Sequence, residues 1–170
     1  MRIIITKGER DDGIEVLRAD GSGASTRFPR KGPVPHDATH YVVESGLGIT
    51  KGFWGLVAAG RHPEEMAEIA KAAGHASAKR ASVPEPSIVA ILQAERAVEC
   101  FEADLWNGGE GNGETLREVF AAGCAQSFVP AVPISDRAIG DIRASLAELR
   151  RRWAAMPLGD SLTLEWTLGE

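Results

Sequence analysis

The chain has 170 residues, of which 44% are hydrophobic and 25% are charged. This is the balance of an ordinary globular protein, and we expect a single domain over residues 1–170. The formal net charge of −5 argues against a surface that follows a phosphate backbone, so no nucleic-acid partner is expected.

Two features bear on the compartment. The N-terminal segment MRIIITKGERDD has too short an apolar run for a signal peptide, and no stretch approaches the roughly 18 apolar residues of a membrane span. Cys100 and Cys124 lie far apart and outside any CxxC spacing, which favours free thiols. We therefore expect a cytoplasmic protein with no membrane partner.

The first residues have the pattern of a small antiparallel meander. β-Branched and alternating residues predict strands at 2–6, 13–19 and 24–28, separated by polar turns that contain glycine. Pro35 then stands where a helix is expected to begin, and glycine at position 46 or 48 is expected to end it.

Most of the remaining chain has apolar residues at helical spacing. The predicted helices cover 36 to about 47, 62–80, 87–106, 114–128 and 136 to about 156, with a packed loop or short helix at 52–60 and a glycine-rich connector or lid at 107–113. Residues 161–168, SLTLEWTL, alternate as a strand that joins the meander most simply. The predicted class is α+β: a small, mostly antiparallel sheet packed against four or five helices.

The segment PHDATHYVVES has the most chemical content. Because a helix turns about 100° per residue, His36, His40 and Glu44 share an arc of about 80°. Val43 projects into the same sector, so the histidines are predicted on the side that faces the core. A buried imidazole needs partners for its ring nitrogens, and a metal on one nitrogen with a hydrogen bond on the other is one solution.

The spacing HDATH resembles the HExxH signature of the zincins, which are zinc-dependent hydrolases. This resemblance implies that His36 and His40 bind zinc and that Asp37 takes the position of the general base on the zinc-bound water. Aspartate is one methylene shorter than the glutamate of the signature, which implies a different hold on that water.

A catalytic zinc site needs a third protein ligand. Glu44 is the nearest candidate, but ligands at i, i+4 and i+8 span about 12 Å of helix rise, so a ligand from another element is geometrically easier. Glu95 and Glu99 in the predicted central helix lie among apolar residues and are further candidates. Alternatively, they pair with an arginine such as Arg96 or lie at the rim of the apolar face.

A longer segment, HDATHYVVESGLGITKGFWGLVAAG, resembles a group of uncharacterised bacterial proteins with an HDxxHxVVE segment followed by GFxG. The resemblance implies that the histidine helix and the Gly-Phe-Trp-Gly segment form one unit, with Phe53 and Trp54 as the wall of a pocket beside the histidines. It implies no activity.

Several functions remain open from the sequence. We favour a small metal-dependent enzyme, because it gives one cause for the clustered histidines and acids. It would bind one divalent ion, zinc first, and hydrolyse a small-molecule substrate. In the alternative, a non-enzymatic ligand- or protein-binding domain, His36 and His40 are structural. Metal-free acid–base chemistry by a histidine–carboxylate pair is a third reading, and a homodimer is compatible with each.

Overall fold

The computed structural model of the protein describes residues 1–77 and 84–169. Within these ranges it contains four strands and six helices. In chain order they are β1 (Arg2–Thr6), β2 (Asp11–Leu17), β3 (Gly23–Pro29), α1 (His36–Leu47), α2 (Phe53–Ala58), α3 (Pro63–Ser77), α4 (Pro86–Trp106), α5 (Gly113–Gln126), α6 (Asp136–Ala155) and β4 (Ser161–Glu165). The predicted α+β class is confirmed. Positions 78–80 of the helix predicted at 62–80 lie outside the described residues.

The strands form one antiparallel sheet in the order β3-β2-β1-β4, so the C-terminal strand joins the meander as expected. Alternation along the strands places one set of side chains on a buried face. On central strand β1, Ile5 lies opposite Ile14 on one side and Leu162 on the other, and all three are buried. Strand β2 begins two residues earlier than predicted, because Asp11 and Asp12 continue the ladder against the end of β3.

The helices cover the buried face of the sheet and share one apolar core with it. Helices α1 and α6 approach closely at Gly46, where an added Cβ would lie only 2.4 Å from Cγ1 of Ile142. Gly48 ends α1 with a φ of 67°, a left-handed conformation that glycine adopts without steric cost. The segment left open as a packed loop or short helix is the helix α2.

The glycine-rich loop at 107–113 is tied to the neighbouring helices by hydrogen bonds. Arg143 on α6 donates to both carboxylate oxygens of Asp104, at 2.8 and 2.7 Å, and to the carbonyl oxygen of Gly111, at 2.8 Å. Asn112 caps α5 by accepting from the backbone N–H of Glu114 at 2.9 Å. These contacts anchor the loop near both of its ends.

The sequence predicts free thiols and no membrane-spanning segment. Cys100 and Cys124 are free, and Cys124 is buried. None of the helices in the described ranges has the length and apolar character needed to cross a membrane.

A buried lysine joins the sheet to the end of α6. Lys7 follows β1, and its ammonium group donates to the carbonyl oxygens of Trp153, at 2.7 Å, and Met156, at 2.6 Å. The same nitrogen lies 5.6 Å from the centroid of the Trp153 ring. A cation in this position satisfies carbonyl groups that a helix end leaves without partners and also opposes the negative end of the helix dipole.

We predict that Lys7→Met lowers the free energy of unfolding by about 1–3 kcal/mol. The methionine side chain has nearly the same length as lysine, but it leaves the buried carbonyls without their donor. Urea denaturation measures this change. The matched control is Arg2→Met in β1. The ion pair of Arg2 with Glu165 spans 2.9 Å between side chains that are 55% and 56% exposed. The control should change stability by less than about 0.5 kcal/mol, and an equal loss in both variants would contradict the role given to Lys7.

Candidate metal centre

The histidine helix α1 and the central helix α4 form the walls of a cleft of about 700 Å³. From α1 it is lined by His36, Asp37 and His40. From α4 it is lined by Glu95, Arg96 and Glu99. These two helices contribute six ionisable side chains, and Lys31 together with Glu68 and Lys71 of α3 also lines the cleft. The pattern that put the histidines on one side of α1 is what points them toward α4.

His40 is buried between two carboxylates. Its Nδ1 lies 2.9 Å from Oε1 of Glu44, one helical turn along α1, and its Nε2 lies 3.4 Å from Oε1 of Glu95 on α4. A carboxylate accepts hydrogen bonds, so Glu44 holds the hydrogen on Nδ1 and directs Nε2 toward Glu95.

Glu44 is fully buried, at 0% exposure, and it accepts three hydrogen bonds. Besides His40, the backbone N–H groups of Phe53 and Trp54 donate to its two oxygens, at 2.9 and 3.1 Å. These N–H groups belong to the first turn of α2, where they have no acceptor within the helix. One carboxylate thus fixes the ring of His40 and the start of α2 together.

The structure explains why glycine stands at both ends of the Gly-Phe-Trp-Gly segment. An added Cβ at Gly52 would lie 2.6 Å from Cδ of Glu44, and one at Gly55 would lie 1.9 Å from the carbonyl oxygen of Thr50. Any larger residue at Gly52 would push the carboxylate away from its donors. Behind it, the indole N–H of Trp54 donates to the backbone carbonyl of Asp37 at 2.8 Å, which ties α2 to the first turn of α1.

His36 is held by a carboxylate from α4. Its Nδ1 lies 2.9 Å from Oε1 of Glu102, and both side chains are partly exposed. The rings of His36 and His40 meet edge to face, with 4.8 Å between their centroids. With Nδ1 of His36 engaged by Glu102, its Nε2 remains for another ligand.

His36, His40 and Glu95 form a group that could hold a metal ion. One donor atom from each lies within 4.8 Å of the other two. Donors about 2.1 Å from a tetrahedral ion are about 3.4 Å apart, which is the separation already found between His40 and Glu95. The half-exposed His36 side chain is the one that would move inward.

The charges of this group are strongly coupled. Burial opposes a charge on His40, but the attraction of Glu95 and Glu44 outweighs it and raises the pKa of His40 well above its usual value. Burial likewise acts to raise the pKa of Glu95, yet the neighbouring His40 lowers that pKa to about 2. The pKa of Asp37 is raised, because burial of its carboxyl group outweighs the attraction of the two histidines.

The structure separates the predicted acids into different positions. Glu95 joins the histidines, whereas Glu44 lies on the opposite side of the His40 ring and outside the group of donor atoms. Glu99 lines the cleft, but its carboxylate lies 2.7 Å from Nη2 of Arg96, the pairing that the sequence left as an alternative. Its pKa is raised, mainly by burial.

The two aromatic residues proposed as a pocket wall also differ from each other. Phe53 lines the cleft, with its ring centroid 5.5 Å from that of His40. Trp54 is buried behind Phe53, with 4.9 Å between their ring centroids. The histidine helix and the Gly-Phe-Trp-Gly segment are therefore in direct contact.

The sequence does not predict Glu44 and Glu102 as hydrogen-bond partners of the histidine Nδ1 atoms. The i, i+4 spacing of His40 and Glu44 was a signal for the first pair, because such residues are neighbours on a helix. No comparable signal existed for His36 and Glu102, which meet only because α1 packs on α4.

Comparisons with protein-family models, with curated proteins and with solved structures gave no match to the chain.

We predict that Gly52→Ala destabilises the protein by about 1–3 kcal/mol, because its Cβ would overlap a buried carboxylate that cannot move without losing hydrogen bonds. Gly52 has a φ of −78°, so the cost is steric and not conformational. Gly140→Ala is the control: this exposed position in α6 has no atom within 4 Å of an added Cβ, and alanine there should stabilise by roughly 0.5–1 kcal/mol. Chemical denaturation compares the two, and a neutral Gly52→Ala would contradict the contact.

Proposed function

We propose that the protein is a small metal-dependent enzyme of the hydrolytic class, with one divalent ion bound by His36, His40 and Glu95. The observation that carries the proposal is the arrangement of carboxylates around the two imidazoles. Each histidine has its Nδ1 beside a glutamate, Glu102 or Glu44, and both histidines belong to the group of donor atoms completed by Glu95. Carboxylates behind metal-ligating histidines set the tautomer and raise ligand basicity.

The donor set favours zinc. Two imidazole nitrogens and one carboxylate oxygen are a common ligand set for catalytic zinc, and three protein ligands leave a fourth position for water. His40 and Glu95 already lie at about the donor separation of a tetrahedral ion, so only His36 has to move. The cleft volume of about 700 Å³ is in the range of pockets that take small molecules, so the substrate is proposed to be a small molecule.

Bound zinc would lower the pKa of its water to about 7 and polarise a carbonyl group. Asp37 lines the same cleft and follows the first ligand in sequence. In the proposed reaction Asp37 takes a proton from the attacking water as the carbon–oxygen bond forms, and it returns the proton to the leaving group as the scissile bond breaks. Burial raises the pKa of Asp37, which makes its carboxylate a stronger base than an exposed aspartate.

The contacts of His40 also favour a second candidate, in which the histidine is structural. A protonated imidazole placed between Glu44 and Glu95 satisfies both ring nitrogens without an ion, and the cleft then serves a non-enzymatic binding domain. The two candidates differ in metal content, which makes the first experiment decisive.

We predict about one zinc per chain in untagged protein purified without chelators, measured by elemental analysis. The variant His40→Ala should lose the ion, because it removes the ligand at the centre of the group. Glu44→Gln should keep the fold but weaken zinc binding by about 10- to 100-fold, because the amide cannot accept from all three donors. Without these hydrogen bonds the ring of His40 is held less firmly in the orientation that points Nε2 at the ion, which Glu44 itself does not contact.

The matched control is His62→Ala. His62 is exposed, and its Nδ1 accepts from the backbone N–H of Glu64 at 3.3 Å, away from the cleft. This variant should retain the metal content of the wild type. Wild-type protein that contains no metal and takes up none on addition of zinc would overturn the proposal and leave the structural candidate.

We predict that Asp37→Asn keeps its zinc but hydrolyses activated esters, with 4-nitrophenyl acetate as the first probe, about 10²- to 10⁴-fold more slowly than wild type. Asparagine preserves the size of the side chain and the backbone carbonyl that Trp54 contacts. Asp141→Asn on the exposed face of α6 is the control and should have wild-type rates. Equal rates for Asp37→Asn and wild type in the zinc-loaded form would remove Asp37 from the reaction.

A further inference from the structure

A second cleft of about 610 Å³ lies on the other side of His36. Lys31, His36 and Glu99 line both clefts, so the two clefts meet at the imidazole that belongs to the candidate metal group. A molecule with one end at the metal group can therefore extend past His36 into the second cleft.

The second cleft has an apolar wall that ends in an exposed indole. Trp106, the last residue of α4, is 71% exposed, whereas the other three tryptophans of the chain are buried to 2% exposure or less. Pro33, Val34 and Leu105 line the same space. An indole left in water next to a cleft is a large flat surface that gains free energy when another flat apolar group covers it.

One stripe of α4 carries acidic residues of both clefts and the exposed indole. Glu95, Glu99, Glu102 and Trp106 follow each other at spacings of four, three and four residues, so they share about 60° of arc over about 16 Å of helix rise. Glu95 lies in the candidate metal group, Glu102 holds His36, and Trp106 comes one turn later. The order along the helix places the indole about three turns, or about 16 Å of rise, beyond Glu95.

We infer that the Trp106 cleft is the subsite for a flat apolar group, an aromatic ring in the simplest case, that is joined to the hydrolysed bond of the substrate. This inference rests on the proposed function, since it places the scissile bond at the ion held by His36, His40 and Glu95. It assigns to the enzyme a substrate class: esters or amides with an aromatic acyl group. Trp106 is then a specificity-determining residue and takes no part in holding the ion.

The test uses two metal-binding probes on zinc-loaded protein, octanohydroxamate and 8-phenyloctanohydroxamate. Their metal-binding groups and chains are the same, and the chain is long enough to cross most of the roughly 16 Å of helix rise between Glu95 and Trp106. Calorimetry measures the ratio of their dissociation constants. We expect 8-phenyloctanohydroxamate to bind at least about tenfold more tightly to the wild type than octanohydroxamate does. The ratio should fall to within about threefold in Trp106→Ala and should be retained in Trp106→Phe, which keeps a flat ring. Leu158→Ala, which alters another exposed apolar residue at 56% exposure, should leave the ratio unchanged.

Fluorescence gives an independent readout, because Trp106 is the exposed indole among the four. The phenyl probe should change the emission of the wild type more than octanohydroxamate does, and this difference should be absent in Trp106→Ala. Equal affinities of the two probes for the wild type would overturn the inference alone. No binding of either probe would overturn the proposed function and the inference together. A dimer in the wild type that Trp106→Ala converts to a monomer would show that the indole serves a second copy of the chain, and would also overturn the inference.

Discussion

The buried carboxylate of Glu44 is the constraint on which the site depends. A charge without solvent costs several kcal/mol unless hydrogen bonds replace the lost water, and here two backbone N–H groups and one imidazole supply them. Helix α2 has only six residues, too few to be stable by itself. The carboxylate therefore does for α2 what a capping side chain does for longer helices, while its position on α1 sets the tautomer and direction of His40.

The same geometry around His40 suits either a proton or a metal ion. Both are cations, and the carboxylate of Glu95 faces Nε2 in either case. An ion that binds there has to displace a proton, which the carboxylates hold more strongly than a solvated imidazole would. In the metal-free protein the protonated imidazole therefore supplies the cation between Glu44 and Glu95.

Much of the fold follows from local patterns. Strands β1 and β4 and helices α1, α4 and α6 have apolar residues at the period of the element they form, and their ends carry proline, glycine or serine where these residues are favoured. Helix α2 was not predictable to the same degree, because GFWGLVAAG suits a packed loop or a helix and the carboxylate that selects the helix comes from another element.

The site shows the same limit. Periodicity placed His36, His40 and Glu44 on one side of α1, and the rise of a helix favoured a third ligand from elsewhere, but neither could say how deep each side chain lies. Burial and the crossing of α1 over α4 decide that Glu44 supports His40, that Glu95 faces it and that Glu99 pairs with Arg96. These are properties of packing between helices, which spacing within one helix does not contain.

The close contact of α1 with α6 has a consequence for the candidate metal group, which lies on a different face of α1. At Gly46 the backbone of α1 rests almost directly on Ile142, so the thickness of this contact determines how far α1 stands from α6 and hence how near its histidines come to Glu95. Ligand positions have to be held to within about 0.5 Å for tight binding. In the proposed site, the affinity for an ion would therefore be adjustable from another face of the helix, by changes in side-chain volume around position 142 that leave every candidate ligand and its supporting carboxylate in place.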